Sequence, residues 1–378
     1  MPPAVLVPFY DHPALEERYA SWQTQMLLRR DHATLDFYDH QEPAADAVDP
    51  VEEEYVLVIT DPLLLPSPHL GEHLRGVIGD AFAAVPAAND GGDPRQRVTM
   101  RPYMTLREFQ AAAGELQPGV ERYTWEKHDP GAFLCATASL RKLHVPLVRA
   151  IEGREITLAR GAVVHRWASL RGQTRHDLLD RISTEAKAIL EFGCGEAPLG
   201  EALKKRQKCR VVGIELDRHA AAIARKRIDD VYCGDVREIV SRLHEQFDCI
   251  VGGDIIEHLD EPWSFLTELR RISTPGARLL LSLPNVANAS VIGDLLHGRF
   301  DYVYMGLTCV GHLRFFTRQS VEEMLAIAGW EVVSIEPQSL AQSAEQSKLL
   351  GDLRTAGIPF AASEVEPTGF YVTARNPG

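Results

Sequence analysis

Residues 189–200 read Ile189-Leu190-Glu191-Phe192-Gly193-Cys194-Gly195-Glu196-Ala197-Pro198-Leu199-Gly200, and the rest of the chain is arranged around them. The apolar run 188–192 predicts a buried parallel strand, and a helix-forming run begins at Leu199. Between them, Gly193 and Gly195 lack the Cβ atom that would keep a ligand away from the backbone. The first turn of the helix also presents unpaired N–H groups. This segment therefore predicts a ligand-binding turn, although Ala197-Pro198 replaces the third glycine of a dinucleotide fingerprint.

Three more apolar segments end in acidic residues. The segment 211–214 is followed by Glu215, about twenty residues after the glycine turn, where a carboxylate can accept both ribose hydroxyls of an adenosine cofactor. A third segment, 231–236, contains Asp235, and a fourth, 247–254, ends in Asp254. Ligands of parallel sheets bind at the carboxyl ends of the strands, where all these acids fall.

In this order and spacing, the four segments resemble the class I S-adenosylmethionine-dependent methyltransferases over roughly residues 175–376. The resemblance implies an α/β fold: a Rossmann-like, seven-stranded methyltransferase domain with an antiparallel hairpin at its end, preceded by a smaller α/β domain. It implies S-adenosyl-L-methionine as the cofactor. The cofactor-binding residues that follow from it are Glu191, Gly193, Gly195, Glu215, Asp235, Val236, Gly253 and Asp254.

Each of these positions has an expected role. By resemblance, Glu191 reaches the amino group of the methionine part, and Glu215 takes the ribose hydroxyls. Asp235 accepts from the adenine amino group, with the amide of Val236 beside it. Gly253 and Asp254 close the floor under the transferred methyl group.

The general base is predicted to lie after the fourth strand. His258 stands in a Glu-His-Leu triplet that is common in O-methyltransferases of the ubiquinone-biosynthesis type. Histidine titrates near neutrality and can accept the proton of an alcohol; a structural histidine is the alternative. Some relatives that methylate RNA ends hold a metal with a Glu-x-x-His pair and a further histidine. Here Glu257 and His258 are adjacent and no third ligand follows at that spacing, so no metal is expected.

A second candidate base, His312, lies in a later insertion. The patterns Pro-Asn-Val from Pro284, Gly-Arg-Phe-x-Tyr from Gly298 and His-Leu-Arg-Phe-Phe-Thr from His312 resemble methyltransferases of bacterial surface-polysaccharide and sugar modification. Aromatic side chains beside arginine and histidine suit a sugar, because rings stack on its apolar face and polar groups bind its hydroxyls. The alternative is that these aromatic residues form the core of the insertion, and that His312 is a substrate contact or a fold residue.

The first half, residues 1–168, is predicted to be a separate α/β domain. An apolar strand ending in Asp61, and the strands after it, resemble inverting glycosyltransferases of the GT-A fold. Those enzymes bind their metal-nucleotide through Asp-x-Asp, whereas Asp61 is followed by Pro62-Leu63, so the domain is expected to be degenerate. An unrelated accessory domain is the alternative. The polar connection 166–175 places the methyltransferase domain at residues 169–378.

Composition limits the classes of partner. The net charge of −13 argues against broad nucleic-acid binding, which needs a basic surface. The six cysteines form no C-x-x-C pair, and no signal peptide or membrane-spanning run is apparent. We therefore expect a cytoplasmic protein, and homo-oligomerisation is left open.

Three functions are compatible with these patterns. The first is an S-adenosylmethionine-dependent O-methyltransferase that acts on a hydroxyl of a sugar or glycan-type acceptor. The second is an O- or N-methyltransferase of small secondary metabolites. The third is a non-catalytic, glycan-binding scaffold that senses the cofactor.

Overall fold

A computed structural model describes residues 2–12, 14–32, 34–89, 93–167 and 173–378. The chain divides into two compact units. The first comprises Met1–Ala168, Gly298–Gly311 and Ser343–Glu345; the second comprises Ser169–His297, His312–Gln342 and Gln346–Gly378. The centre of the predicted connection, residues 168–172, lies outside the described residues. Within the described ranges, no helix combines the length and apolar character needed to cross a membrane.

The first unit is built on a mixed sheet. Its strands are β1 (Ala4–Pro8), β2 (Leu35–Tyr38), β3 (Tyr55–Ile59), β4 (Leu65–Pro66), β5 (Ala83–Ala88), β6 (Val120–Thr124), β7 (Ala132–Ala136) and β8 (Glu155–His165). Its helices are α1 (Leu15–Arg29), α2 (Ala44–Ala47), α3 (Leu70–Val77), α4 (Leu106–Gly114) and α5 (Thr137–Leu140), with 3₁₀ turns at Pro94–Gln96 and Leu147–Arg149. The sheet order is β2-β1-β3-β7-β5-β8-β4, and β6 pairs with β8. The β6 strand is mostly exposed, which explains why its sequence contains no apolar run that would predict a strand.

Two details of this unit bear on the sequence predictions. The carboxylate of Asp61 accepts a hydrogen bond from Arg166 Nε at 3.1 Å and one from the Leu63 amide at 3.0 Å. Asp61 is therefore engaged within its own unit, and the glycosyltransferase resemblance stays a prediction. Residues 298–311, which include the Gly-Arg-Phe-x-Tyr pattern, also belong here: the hydroxyl of Tyr304 donates to Glu17 at 2.8 Å.

The second unit has the predicted seven-stranded, Rossmann-like sheet. Its strands are β9 (Ala188–Phe192), β10 (Arg210–Glu215), β11 (Asp230–Cys233), β12 (Phe247–Gly253), β13 (Ser273–Pro284), β14 (Glu331–Gln338) and β15 (Gly369–Arg375). The order is β11-β10-β9-β12-β13-β15-β14. β15 runs antiparallel to both of its neighbours, and the other pairs are parallel. The predicted fold class and the antiparallel end are confirmed.

Helices cover both faces of this sheet. They are α6 (His176–Leu179), α7 (Pro198–Arg206), α8 (Arg218–Ala224), α9 (Val236–Arg242), α10 (Pro262–Arg271) and α12 (Arg318–Ile327). The same part of the chain also forms α11 (Ala289–Leu296), α13 (Ala344–Thr355), α14 (Ala362–Val365) and a 3₁₀ turn at Ile256–His258. Alternate residues of β9 enter two cores: Leu190 and Phe192 pack on one side, and Ile189 packs on the other. Burial on both faces is why the strand sequences are continuous apolar runs.

Candidate functional site

The glycine turn after β9 is joined to the end of β10. The amide of Gly193 donates to the Ile214 carbonyl at 2.8 Å, and the amide of Gly195 donates to Glu215 Oε2 at 2.7 Å. Glu215 Oε1 accepts from the Asp217 amide at 2.8 Å. The structure therefore brings the first two predicted cofactor segments together. Carboxylate oxygens have further lone pairs for ribose hydroxyls.

The structure explains in two different ways why the turn has glycine at 193 and at 195. Both have positive φ, +70° at Gly193 and +56° at Gly195, where a Cβ is disfavoured. A Cβ on Gly193 would lie 2.3 Å from Ile255 Cδ1, so this glycine makes room for a neighbouring side chain. A Cβ on Gly195 would meet nothing within 4 Å. Gly195 is thus the position where the backbone faces open space that a cofactor can approach.

The close helix–strand packing expected of a third glycine occurs at Gly200 instead. A Cβ there would lie 2.7 Å from Ile228 Cγ2 and 3.1 Å from Val211 Cγ1. Ala197 has φ +57° and precedes Pro198, which occupies the first turn of α7. The displaced glycine lets α7 pack on the sheet although the fingerprint is altered.

Glu191 is a buried carboxyl at the end of β9. It is 7% exposed, and no described residue donates a hydrogen bond to its Oε2 atom. Burial, followed by the charge of Glu215, raises the pKa of Glu191 to about 8. A buried, unpartnered oxygen is costly unless a ligand satisfies it. A cationic amino group is the kind of partner that would stabilise the ionised form.

Asp235 and Val236 begin α9. The Asp235 side chain caps the helix by accepting from the Arg237 amide at 2.8 Å, and it also pairs with Arg237 Nη2 at 2.6 Å. The hydrogen bonds from the Arg237 side chain hold the pKa of Asp235 below its ordinary value. The carboxylate of Asp235 thus serves as a helix cap in this structure. Its contact with adenine stays a prediction.

Arg175 forms ion pairs with Asp177 and Asp254 beside the end of β12, and the sequence analysis did not predict them. Arg175 Nη1 contacts Asp254 at 2.6 Å, and its Nη2 contacts Asp177 at 2.8 Å. Asp254 has φ +53°, a conformation unusual for a residue with a Cβ, and it also accepts from Ser282 at 2.9 Å. Gly253 packs closely, because a Cβ there would lie 2.9 Å from a side chain of α6. The floor predicted at 253–254 is therefore a fixed, charged structure.

The two predicted bases are neighbours. The ring centroids of His258 and His312 are 5.0 Å apart. His312 is held there because the amides of Leu313 and Arg314 both donate to the Glu257 carbonyl, at 2.8 and 3.0 Å. The fold thus unites residues from two distant segments.

Glu257 lies beside this pair and is fully buried. Its Oε1 is 3.9 Å from His312 Nε2, and neither carboxylate oxygen has a hydrogen-bond partner among the described residues. Burial and then the charge of Asp254 raise the pKa of Glu257 well above its ordinary value. One ligand atom from each of Glu257, His258 and His312 lies within 4.8 Å of the others. His312 thus joins Glu257 and His258 from outside the local spacing, and the expectation that no metal binds stays a prediction.

The motif around His312 is partly structural. Phe316 is 3% exposed and belongs to the core, and Thr317 caps α12. Asn285 is fully buried and donates to the Pro367 carbonyl at 3.0 Å. Phe315 differs: it is 37% exposed, and its ring meets His312 edge-on at 6.2 Å. Phe315 is thus a partly exposed aromatic residue beside the histidine pair.

The sheet order, the antiparallel last strand and the glycine turn after β9 define a class I S-adenosylmethionine-dependent methyltransferase fold. The residues present fit that cofactor: Gly195 faces open space, Glu215 ends β10, and Glu191 has a buried oxygen that suits an amino group.

Comparisons with known proteins agree with this class. Residues 165–335 match a family model described as a methyltransferase domain. The chain is 27% identical over 140 residues to the ubiquinone biosynthesis O-methyltransferase of Pseudomonas aeruginosa (strain UCBPP-PA14), covering 33% of this chain and 60% of that protein. It is 27% identical over 141 residues to the enzyme of the same name from Dechloromonas aromatica (strain RCB), with the same coverage. The chain thus spans 60% of the length of these curated relatives.

The solved structures that this chain matches include an S-adenosylmethionine-dependent methyltransferase from Archaeoglobus fulgidus, at 15% identity. The match covers 54% of this chain and 96% of that one, with a TM-score of 0.40. The N-methyltransferase NodS from Bradyrhizobium japonicum WM9, in complex with S-adenosyl-L-homocysteine, is 19% identical. That match covers 54% and 86% of the two chains, with a TM-score of 0.36. Residues 165–335 are thus similar to methyltransferase domains.

Proposed function

We propose that the protein is an O-methyltransferase that transfers a methyl group to a hydroxyl of a sugar or glycan-type acceptor. The observation that carries this proposal is the pairing of His258 and His312 after β12, the strand whose end forms the predicted floor of the cofactor site. An alcohol needs a group that takes its proton as the methyl group is transferred. Two imidazoles side by side provide that group.

S-adenosylmethionine, when bound, supplies a methyl group that its sulfonium charge already activates. The chain then has to align the acceptor oxygen with that methyl carbon and receive a proton. A carbon–oxygen bond forms as the carbon–sulfur bond breaks, and the hydroxyl proton passes to the histidine pair. Neutral imidazole has a ring nitrogen that can accept this proton.

The surroundings of His312 support a sugar as the acceptor. Phe315 presents a partly exposed ring, and Arg314 lies over the Trp263 ring with its guanidinium carbon 6.0 Å from the ring centroid. An aromatic face, a guanidinium and an imidazole are the groups that bind the apolar face and the hydroxyls of a sugar. The resemblance of this segment to sugar-modifying methyltransferases points in the same direction.

The second candidate is O-methylation of a small phenolic metabolite. It is favoured by the Glu-His-Leu triplet at 257–259 and by the names of the curated relatives, which are O-methyltransferases of ubiquinone biosynthesis. A phenol would stack on Phe315 as readily as a sugar would.

A methyl-transfer screen separates the two candidates. The full-length chain is incubated with S-adenosylmethionine and matched panels of nucleotide sugars, oligosaccharides and phenols, and products are detected by the mass of one added methyl group. The proposal predicts methylation of a sugar acceptor, and loss of that product in the double variant His258→Ala, His312→Ala. Methylation of phenols alone would favour the second candidate. Cofactor binding without transfer to any acceptor would favour the scaffold.

A further inference from the structure

We propose that Glu257, His258 and His312 form a binding site for one divalent transition-metal ion of the Zn²⁺ type. The three side chains come from the 3₁₀ turn after β12 and from the segment before α12. Nitrogen and oxygen atoms of the three lie within 4.8 Å of one another. The set consists of two imidazoles and one carboxylate.

The distances suit a shared ion better than direct contacts. Glu257 Oε1 and His312 Nε2 are 3.9 Å apart, beyond a hydrogen bond. Ligand atoms about 2.0–2.2 Å from a tetrahedral ion stand roughly 3.3–3.6 Å from each other. The 3.9 Å between Glu257 and His312 exceeds that spacing by only a few tenths of an ångström, so a small side-chain shift would suit a shared ion.

Glu257 is the second, independent reason to expect a ligand. Its side chain is buried, and the described part of the chain offers no hydrogen-bond donor to either carboxylate oxygen. Leaving a buried polar group without a partner is unfavourable, whereas buried charges in proteins are paired or bind metals. A cation held between this carboxylate and the two imidazoles would provide the missing partner.

The ligand set selects the kind of metal. Two imidazoles and one carboxylate match transition-metal sites with open positions, such as those of Zn²⁺ and Fe²⁺, whereas Mg²⁺ prefers oxygen ligands and bound water. An acceptor hydroxyl could occupy the open position, and the ion would lower its pKa. In that case the histidines would hold the ion in place of accepting the proton themselves, and the proton of the bound hydroxyl would pass to water. This role rests on the proposed function, but ion binding does not.

Zinc binding can be measured without any acceptor. The metal-free full-length chain is titrated with ZnCl₂ by calorimetry, and with Co²⁺ as a spectroscopic probe of coordination. We expect one site per chain, with Co²⁺ bands that lack thiolate charge transfer. His312→Ala should weaken binding by at least about 100-fold, because even second-shell changes cost roughly 10–100-fold. The near-isosteric Glu257→Gln guards against unfolding as the cause and should also weaken binding.

His244, an exposed histidine between α9 and β12, provides the control. His244→Ala should bind Zn²⁺ like the wild type. Absence of a stoichiometric site in the wild type would overturn the proposal, and so would equal binding by the wild type, His312→Ala and Glu257→Gln. Zinc binding without methyl transfer to any acceptor would support the site and count against the proposed function. Methyl transfer by a chain that binds no Zn²⁺ would support the proposed function and count against the zinc site.

Discussion

Glu191 should make cofactor binding depend on pH. Its buried carboxyl has a pKa of about 8, so at pH 7 roughly nine chains in ten carry it protonated. If Glu191 holds the amino group of the cofactor, the ionised form is the one that binds. Binding should then release a proton, because the cationic amino group stabilises the carboxylate.

The magnitude follows from the fraction ionised. Below the pKa of Glu191 that fraction rises about tenfold per pH unit, and above it the fraction levels off. The affinity for S-adenosyl-L-homocysteine should therefore rise about tenfold from pH 6 to pH 7, and about fivefold more by pH 8. The Glu191→Gln variant cannot ionise at this position, so its affinity should vary little across this range.

The raised pKa also predicts an effect on stability. The pKa of Glu191 is raised from an ordinary value of 4.5 to about 8 in the folded protein. The folded state therefore binds this proton more tightly than the unfolded state, and ionising Glu191 destabilises the fold as pH rises from 4.5 to about 8. Over that window the ligand-free wild type should therefore lose stability relative to Glu191→Gln. The melting temperature of both proteins between pH 5 and pH 8.5 measures this difference.

Calorimetry from pH 6 to pH 8.5, in two buffers of different ionisation enthalpy, measures affinity and proton release together. The control is Glu238→Gln, on the exposed side of α9, which should follow the wild-type curve. An affinity that does not change with pH would refute the reasoning. So would a Glu191→Gln variant that retains the full pH dependence.

Two further substitutions test the predicted ribose contact at Glu215 and the packing of α7 on the sheet at Gly200. Glu215→Ala should weaken S-adenosyl-L-homocysteine binding by at least about tenfold, since hydrogen bonds to a charged group contribute roughly 1.5–3 kcal/mol each; Asp217→Ala, which removes the cap of α8, should mainly lower the melting temperature. Equal affinity in Glu215→Ala and wild type would contradict the ribose assignment. Gly200→Ala should destabilise by about 1–3 kcal/mol in urea unfolding, because its Cβ would lie 2.7 Å from a neighbouring side chain. Gly351→Ala, in α13 with nothing within 4 Å of the added Cβ, should be neutral or stabilising; a Gly200→Ala variant as stable as this control would show that the helix packs differently.

The sequence predicts the sheet of the second unit and the glycine turn followed by Glu215, because the patterns that indicate them are local. Apolar runs with a glycine turn and an acid about twenty residues later fix strand, turn and Glu215 together. Strands β2 and β6 are partly or mostly exposed, so they lack such runs and no sequence pattern identifies them.

The geometry around the histidines could not be read from spacing. His312 reaches His258 through two amides that bind the Glu257 carbonyl, an arrangement that leaves no periodic pattern. The pairing of Arg175 with Asp254 likewise joins residues from separate parts of the chain. Such tertiary contacts decide whether Glu257 and the histidines can share a ligand.

The most direct test of the account is to follow the methyl group itself. S-adenosylmethionine labelled with ¹³C at the methyl position is incubated with the full-length chain and the sugar acceptors of the screen, and the products are examined by NMR. The account predicts a labelled methyl ether on a sugar oxygen that depends on His258 and His312. A label found only on nitrogen, or no transfer by a chain that binds S-adenosyl-L-homocysteine, would contradict it.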